Sequence, residues 1–442
     1  MTGAERARAR VLWLSTAGFT LAFAVWTMFG ILGIPIRKEF GLSDTQLGWL
    51  LAAAVLGGSL PRLLFGVLAD RHGGGKVFTA LLLATAPGAL LVSQAHSYPE
   101  LVLYALWTGL AGNTFSIGIA WCSAWFPAER QGFALGVFGA GNVGASVTKF
   151  IGPALITLVP AGGLWSGALP GGWRFVPVLY ALLLVAMAAL IWLFLPRPDR
   201  RPGSDRSFTE MLRPLQSVRV WRFGLYYVVV FGAYVALSLW LPKYYVDTFG
   251  LPLGTAALLT ALFIFPASLL RPLGGWASDA LSARPVMYWT LGATTALALP
   301  LSLPGIVTSP WWFTLAVVSI GICMGIGKAA VYKFIPQHFP GDVGAVGGQV
   351  GLLGALGGFV LPPLFGYTTQ LTGVPETTFL ALFLLSGASL VWLHATVQSM
   401  LRAGVQVTPH TVEHSPEPGH GIGADVPSTP PSPRAPSVPP SR

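Results

Sequence analysis

Twelve runs of about 20 mainly apolar residues, separated by short charged or Pro/Gly-rich breaks, leave this chain few ways to fold. Their approximate edges are 11–35, 47–69, 77–95, 99–125, 133–158, 173–195, 220–246, 254–278, 286–304, 311–335, 343–370 and 376–400. A segment in hydrocarbon must satisfy its backbone hydrogen bonds internally, so each run is read as a membrane-spanning α-helix. A mean hydropathy of +0.66 with only 10% charged residues excludes an ordinary soluble domain. The first run follows Arg6, Arg8 and Arg10 like a signal peptide, but no small-residue cleavage site ends it and eleven more runs follow; it is read as an uncleaved first helix. The expected fold class is an all-α polytopic membrane protein, twelve transmembrane helices in two six-helix pseudo-symmetric halves.

The net charge of +10 is distributed by topology and forms no interleaved basic-aromatic patch, so nucleic acid is not an expected partner; the lipid bilayer is. Fifteen Lys and Arg residues fall in segments sharing a side with the N-terminus, and four (Arg37, Lys38, Arg174, Lys243) on the other. The positive-inside rule then places both termini in the cytoplasm, with the chain in the cytoplasmic (inner) membrane. Cys122 and Cys323 each sit inside a predicted helix and suggest packing, with no disulfide framework and no metal site. No His/Asp/Glu cluster occurs within the spans, so no cofactor and no intramembrane enzyme chemistry is expected.

The densest charge lies between the sixth and seventh runs, dividing the chain into 1–195, a basic cytoplasmic linker at 196–219, and 220–400. Beyond it, 401–442 is rich in Pro, Ser and Gly and reads as a disordered cytoplasmic tail. The halves repeat. SLPRLLFGVLAD (59–70) and SLLRPLGGWASD (268–279) share a frame at an offset of 209, aligning Arg62 with Arg271, Gly66 with Gly275 and Asp70 with Asp279. An offset of 213 aligns Gly112 with Gly325, Phe126–Pro127 with Phe339–Pro340, Gly141 with Gly354, and Gly144 with Gly357. Parallel repeats imply a substrate path between the halves near the bilayer midplane.

Arg62 lies eight residues before Asp70, so about 12 Å deeper in the membrane than the adjoining loop. A charge at that depth costs at least about 2.5–3.5 kcal/mol and normally faces a cavity or a partner. No acidic residue in any helix interior can neutralise Arg62 or Arg271, so a mobile anion is the expected counter-charge. The competing explanation is that each Arg bonds backbone carbonyls and only stabilises the bundle.

GVLADRHGGGK (66–76) resembles the loop signature of the major facilitator superfamily, and that resemblance extends over all twelve runs. FGAGNVGAS (138–146) and GQVGLLGALGGFVLPP (348–363) resemble the paired glycine-rich signatures of its nitrate/nitrite porter family, whose Arg in the second and eighth helices Arg62 and Arg271 match. The resemblance implies nitrate or nitrite as substrate. It also implies that Phe29, Phe115, Tyr227 and Phe231 are pocket residues, and that Asp70, Arg71 and Lys76, with Asp279, latch the halves at the cytoplasmic side. The second latch departs from the pattern because DALSARP lacks the Gly.

The residue chemistry agrees. A guanidinium is planar with forked donors and suits a planar oxyanion, whose faces aromatic rings can close. Gly141 and Gly144, with Gly354 and Gly357, leave bare helix faces where backbones can approach and slide against the opposite half, and Asn142 adds a side-chain amide to the site. Lys149, Lys328 and Lys333 are candidate proton-coupling groups, Lys333 being nearest a helix end. The expected function is secondary active transport of nitrate, with nitrite also accepted, by proton-coupled symport and alternating access in a monomer. The alternatives are nitrate/nitrite antiport, a facilitator for another small organic anion, and a membrane sensor that signals through its tail.

Overall fold

Every apolar run becomes a helix in the computed structural model, which describes residues 2–160, 162–164, 169–200, 212–339 and 343–403. In chain order these are α1 (Gly3–Phe40), α2 (Asp44–His72), α3 (Gly74–Val92), α4 (Tyr98–Trp125), α5 (Ala128–Gly139 resuming as Gly144–Leu158) and α6 (Gly172–Phe194). The second set is α7 (Val218–Phe249), α8 (Leu253–Leu269 with Arg271–Leu281), α9 (Ala283–Leu301), α10 (Pro310–His338), α11 (Val343–Thr372) and α12 (Thr377–Arg402). Among the described residues, nine helices are long and apolar enough to cross a membrane, and α8, bent by 41°, makes ten. With α5 and α9 the passes number twelve, which puts both ends of the bundle on one face, here the terminal face; the opposite face is the distal face. Linker residues 201–211, the tail beyond 403 and Pro340 lie outside the described residues.

The repeat seen in the sequence is also a repeat of backbone conformation. Gly41 and Gly250, 209 residues apart, end α1 and α7 in the left-handed region at φ 63° and 65°. Gly73 opens α3 at φ 94°, and its partner at the same offset, Ser282, opens α9 at φ 70°. The second copy, whose latch sequence lacks the glycine, therefore keeps the turn with a non-glycine residue in a region that L side chains rarely adopt.

Many spans are broken near mid-depth. α1 breaks at Thr27–Met28, and α2 at Leu60–Pro61. α4 and α5 tighten into 3₁₀ turns at Gly109–Asn113 and Ala140–Val143, and α7 widens into a π turn at Val228–Gly232. Arg62 and Arg271 each follow a break as the first residue of an 11-residue helical piece; the residues before them, Pro61 and Leu270, share ψ of 3°. Irregular backbone at membrane depth is tolerated where it is buried in protein or lines a path.

The halves meet along α2 against α11 and α5 against α8, and also where the distal parts of α1 and α7 pack together. On the distal face the seam is shut by ions. Arg37 of α1 bonds Asp44 of α2 at 2.8 Å and Asp247 of α7 at 2.6 Å; Lys243 of α7 bonds Asp44 at 3.1 Å and Asp247 at 2.9 Å. Thr45 donates to Gln370 of α11 beside this ring, at 2.7 Å. On the terminal face Asp199, where the linker leaves α6, accepts from the Gly75 amide and the indoles of Trp121 and Trp125 at 3.0–3.1 Å.

Candidate functional site

Arg62 is buried, with 1% of its surface exposed, and reaches out of its own half. Its Nη1 donates to the Gly351 carbonyl of α11 at 3.2 Å and Nη2 to Gly58 of α2 at 3.3 Å, while Nε has no partner among the described residues. Arg271 makes the reciprocal crossing. A Cβ at Gly139 of α5 would lie 3.0 Å from its Nη1 and 3.4 Å from its Cζ, so the glycine lets the guanidinium lie a few tenths of an ångström closer to the helix than a side chain would. That Nη1 is buried and unpartnered among the described residues. Each arginine thus rests on the glycine-rich helix of the other half.

Both cations face one ring. The guanidinium carbons of Arg62 and Arg271 lie 5.3 and 5.7 Å from the Phe115 centroid, so they are at most about 11 Å apart, each within cation–π range. Phe231 stacks on Phe115 at 6.4 Å and on Tyr227 at 5.1 Å; Tyr332 meets Tyr227 edge-on at 5.1 Å and lies 5.7 Å from Arg271. The Tyr227 hydroxyl, and both amide atoms of Asn142, are buried without a hydrogen-bond partner among the described residues. Lys328 adds a third cation. Its Nζ donates to the Ala267 carbonyl at 3.0 Å, where α8 approaches its break, and lies 3.2 Å from the Tyr234 ring centroid and 5.9 Å from that of Phe231.

None of these cations makes an ion pair among the described residues; the carboxylates that do lie toward the helix ends. Two guanidiniums no farther apart than that repel by at least roughly 1.5 kcal/mol at an effective dielectric of about 20. A small anion between them reverses the sign. The site can therefore bind and orient an oxyanion with donors from α2, α5, α7 and α8. No group of three or more His, Cys, Asp or Glu side chains that could hold a metal occurs among the described residues.

The remaining predicted residues fall elsewhere. Phe29 is fully buried where α1 resumes after its break, and makes no ring contact with this cluster among the described residues. Gly141 and Gly144 do not face the anion site or the opposite half. A Cβ at either would strike α1 of the same half, at Phe19 and at the Thr20 carbonyl. Gly354 and Gly357 likewise face α7 of their own half, Gly354 beneath the Tyr227 ring and Gly357 against Val228 and Gly232. Their bare surfaces let each half pack closely and, at Gly354, seat the tyrosine. The glycines that meet the arginines across the seam are Gly139 and Gly351, while Gly348 and Gly358 of α11 pack on Leu63 and Val55 of α2.

Lys149 is buried at 1% exposure and donates to the Thr27 carbonyl at the α1 break, at 3.1 Å. Lys333, 41% exposed, pairs with Asp279 at the terminal end of α8 and α10, which separates it from the two deep lysines. That pair lies within one half, so in this structure Asp279 does not bridge the halves. Lys76 borders a surface groove with Arg197 and Asp199, and Asp70 and Arg71 lie in the last turns of α2. The reading of the sequence overlooked Tyr332, although it stands one turn from Lys328, and overlooked the distal ion ring because its four members belong to three helices.

Residues 14–362 match the model of the Major Facilitator Superfamily. The chain is 63% identical over 415 residues to the "Probable nitrate/nitrite antiporter NarK1" of Thermus thermophilus, covering 90% of this chain and 94% of that one. It is 30% identical over 384 residues to the "Nitrite extrusion protein" of Bacillus subtilis (strain 168), covering 86% and 93%. Among solved structures, a bacterial homolog of the human lysosomal transporter Spinster, in an inward-facing and occupied conformation, superposes with a TM-score of 0.71 at 17% identity, covering 93% and 99%. Twelve helical passes in two repeated halves, the paired arginines and these likenesses agree, and the chain belongs to the Major Facilitator Superfamily and, within it, to the nitrate/nitrite porter family: it is a multi-pass membrane transporter and not an enzyme.

Proposed function

We propose that this protein carries nitrate, and nitrite as well, across the cytoplasmic membrane by alternating access, with both termini in the cytoplasm. Residues 1–195 and 220–400 would be the moving halves, joined by the linker at 196–219. One observation carries the reading: two guanidiniums from opposite halves, Arg62 buried and Arg271 half-buried with its Nη1 enclosed, face Phe115, with no carboxylate paired to either among the described residues. Nitrate fits because it is planar, singly charged and small enough to lie between forked donors and aromatic faces. The unpartnered Arg62 Nε, Arg271 Nη1, Tyr227 hydroxyl and Asn142 amide are the groups that would hold it. The names of the relatives support nitrate or nitrite as the cargo.

Proton coupling is assigned to Lys328, whose ammonium shares Phe231 with Arg62. An anion arriving beside these cations and a proton on Lys328 favour each other, and by linkage the preference is reciprocal, as symport requires. Exchange is the second reading; it is favoured by the antiporter name of the 63% identical relative and needs only that the empty carrier not reorient. Nitrate uptake by proteoliposomes, with and without an imposed pH gradient and with nitrite inside, separates the two. Lys328→Met is expected to lose the response to an inward proton gradient while keeping exchange against internal nitrate. Gradient-driven accumulation that persists in Lys328→Met removes this lysine from coupling, and wild-type vesicles that move neither anion refute the transport reading.

A further inference from the structure

α5 has two polar faces with different fates. One is fully engaged: Gly141, Gly144 and Gly152 pack on α1, and the Thr148 hydroxyl meets the Ala24 carbonyl at 3.0 Å and the Tyr180 hydroxyl at 2.5 Å. The other carries Gly139, Asn142, Ser146 and Lys149, spaced three or four residues apart and so aligned along one side of the helix. Gly139 at its terminal end seats Arg271. Going toward the distal face, both Asn142 amide atoms and the Ser146 hydroxyl are buried with no partner among the described residues. Lys149, an ammonium with three donors, makes its one described hydrogen bond to Thr27.

Each such unsatisfied buried group is costly, and native structures keep few of them. Three in succession, with a lone cation at the end, call for a second state in which something solvates them. Across the seam, the helix packed against this part of α5 is the first piece of α8, LGTAALLTALFIFPASL, which carries no charged side chain and cannot supply a counter-ion; within the half, α1 packs on it and offers Lys149 the Thr27 carbonyl. This α5–α8 seam parts only if the distal ion ring opens, because Arg37–Asp247 and Lys243–Asp44 tie the halves together there.

We propose that the Asn142–Ser146–Lys149 stripe lines the anion's route on the distal side, and that Lys149 is an outer anion station, occupied once the halves separate on that face. The station lies about 10 Å outward from Asn142, seven residues at 1.5 Å each, close enough to pass a small oxyanion to the arginine pair. The proposal rests on the carrier reading but does not depend on nitrate being the cargo. It also gives Lys149 a task apart from proton coupling: it concentrates anions at the distal mouth.

The test uses the full-length chain with Cys122 and Cys323 replaced by alanine and Ser146→Cys introduced. Membrane-impermeant methanethiosulfonates, one bearing a sulfonate and one a trimethylammonium, are applied from the distal face. Cysteine at 146 should react faster with the sulfonate reagent, by about fivefold or more, the size expected from one unit charge at about 4 Å in water. Lys149→Gln should abolish that preference and Lys149→Arg should keep it. No labelling from the distal face, or a preference unchanged by Lys149→Gln, overturns the proposal. If Ser146→Cys fails to reach the membrane, Pro153→Cys, one turn beyond Lys149 on the same side, carries the same measurement. Saturating nitrate should slow the labelling; a charge preference that survives without any effect of nitrate upholds the route and counts only against nitrate as cargo.

Discussion

Replacing Asp247 with Asn tests whether the distal ion ring is the lock that holds the halves together. Asp247 accepts from Arg37 at 2.6 Å and from Lys243 at 2.9 Å, and its side chain is 38% exposed. Partly exposed pairs contribute about 0.2–1 kcal/mol each, and of these two only Arg37–Asp247 crosses between halves. Removing the charge also leaves Asp44 alone against two cations. The closed distal face should lose roughly 0.5–1.5 kcal/mol, so the open-to-closed ratio should rise between about twofold and about tenfold. Spin labels at Lys38→Cys in α1 and Leu371→Cys in α11, in a background without native cysteines, would report the change as growth of a longer distance in the distribution. High salt should produce a smaller shift in the same direction in the unmodified ring, because these charges are within reach of solvent screening. The exchanged pair Arg37→Asp with Asp247→Arg should restore the closed population. Distances that do not respond to Asp247→Asn, or an exchanged pair no more closed than Arg37→Asp alone, would refute the lock.

Arg62→Lys and Arg271→Lys keep the charge but lose the planar fork; each should weaken nitrate binding at least about tenfold, the loss of one charge-assisted hydrogen bond, in protein that still elutes as a single peak. Affinity within twofold of the parent would take that arginine out of the site. Gly354→Leu should halt turnover without preventing expression, because the new side chain occupies the place of the Tyr227 ring, whereas Gly136→Ala, with nothing within 4 Å of its Cβ, should transport normally. Normal rates in both would show that the Tyr227 seat is dispensable. Ser282→Gly should raise the melting temperature in detergent, since it relieves a positive-φ serine at a strain of about 1–3 kcal/mol that exceeds the entropy added to the unfolded chain. An unchanged or lower melting temperature would mean that the serine side chain stabilises the turn by at least that much.

The spans were legible because hydrocarbon imposes a length and an apolarity that any span must show; α2 runs Asp44–His72 where the apolar run gave 47–69. The arginines were legible for the same reason, as charges the environment does not tolerate without cause. What the residues along one helix could not reveal was which neighbour each face meets. Gly139, Gly141 and Gly144 look alike in sequence, yet the first meets Arg271 across the seam and the others meet α1, a difference set by rotation around α5. Lys328 and Lys333 are five residues apart, but one is buried under Tyr234 and the other reaches Asp279. The backbone breaks were hidden as well. Pro61 signals the one in α2, but Thr27–Met28 has no proline or glycine to mark it. The distal ring was out of reach of any local pattern, since its charges come together only when α1, α2 and α7 are packed.

The bond from Arg62 to the Gly351 carbonyl bears on leakage. A carrier dissipates a gradient whenever it turns over with nothing aboard, so the event to suppress is reorientation of the vacant protein. Here the guanidinium proposed to grip a passenger is fastened through Nη1 to the main chain of the other half. On the proposed reading, a passenger held at Nε that also drew on Nη1 would release the fastening, so cargo and clasp would compete for one group. Because the clasp's acceptor is a peptide oxygen, no side-chain replacement at position 351 deletes it. On that reading, tightness against slippage would be written into the backbone of α11.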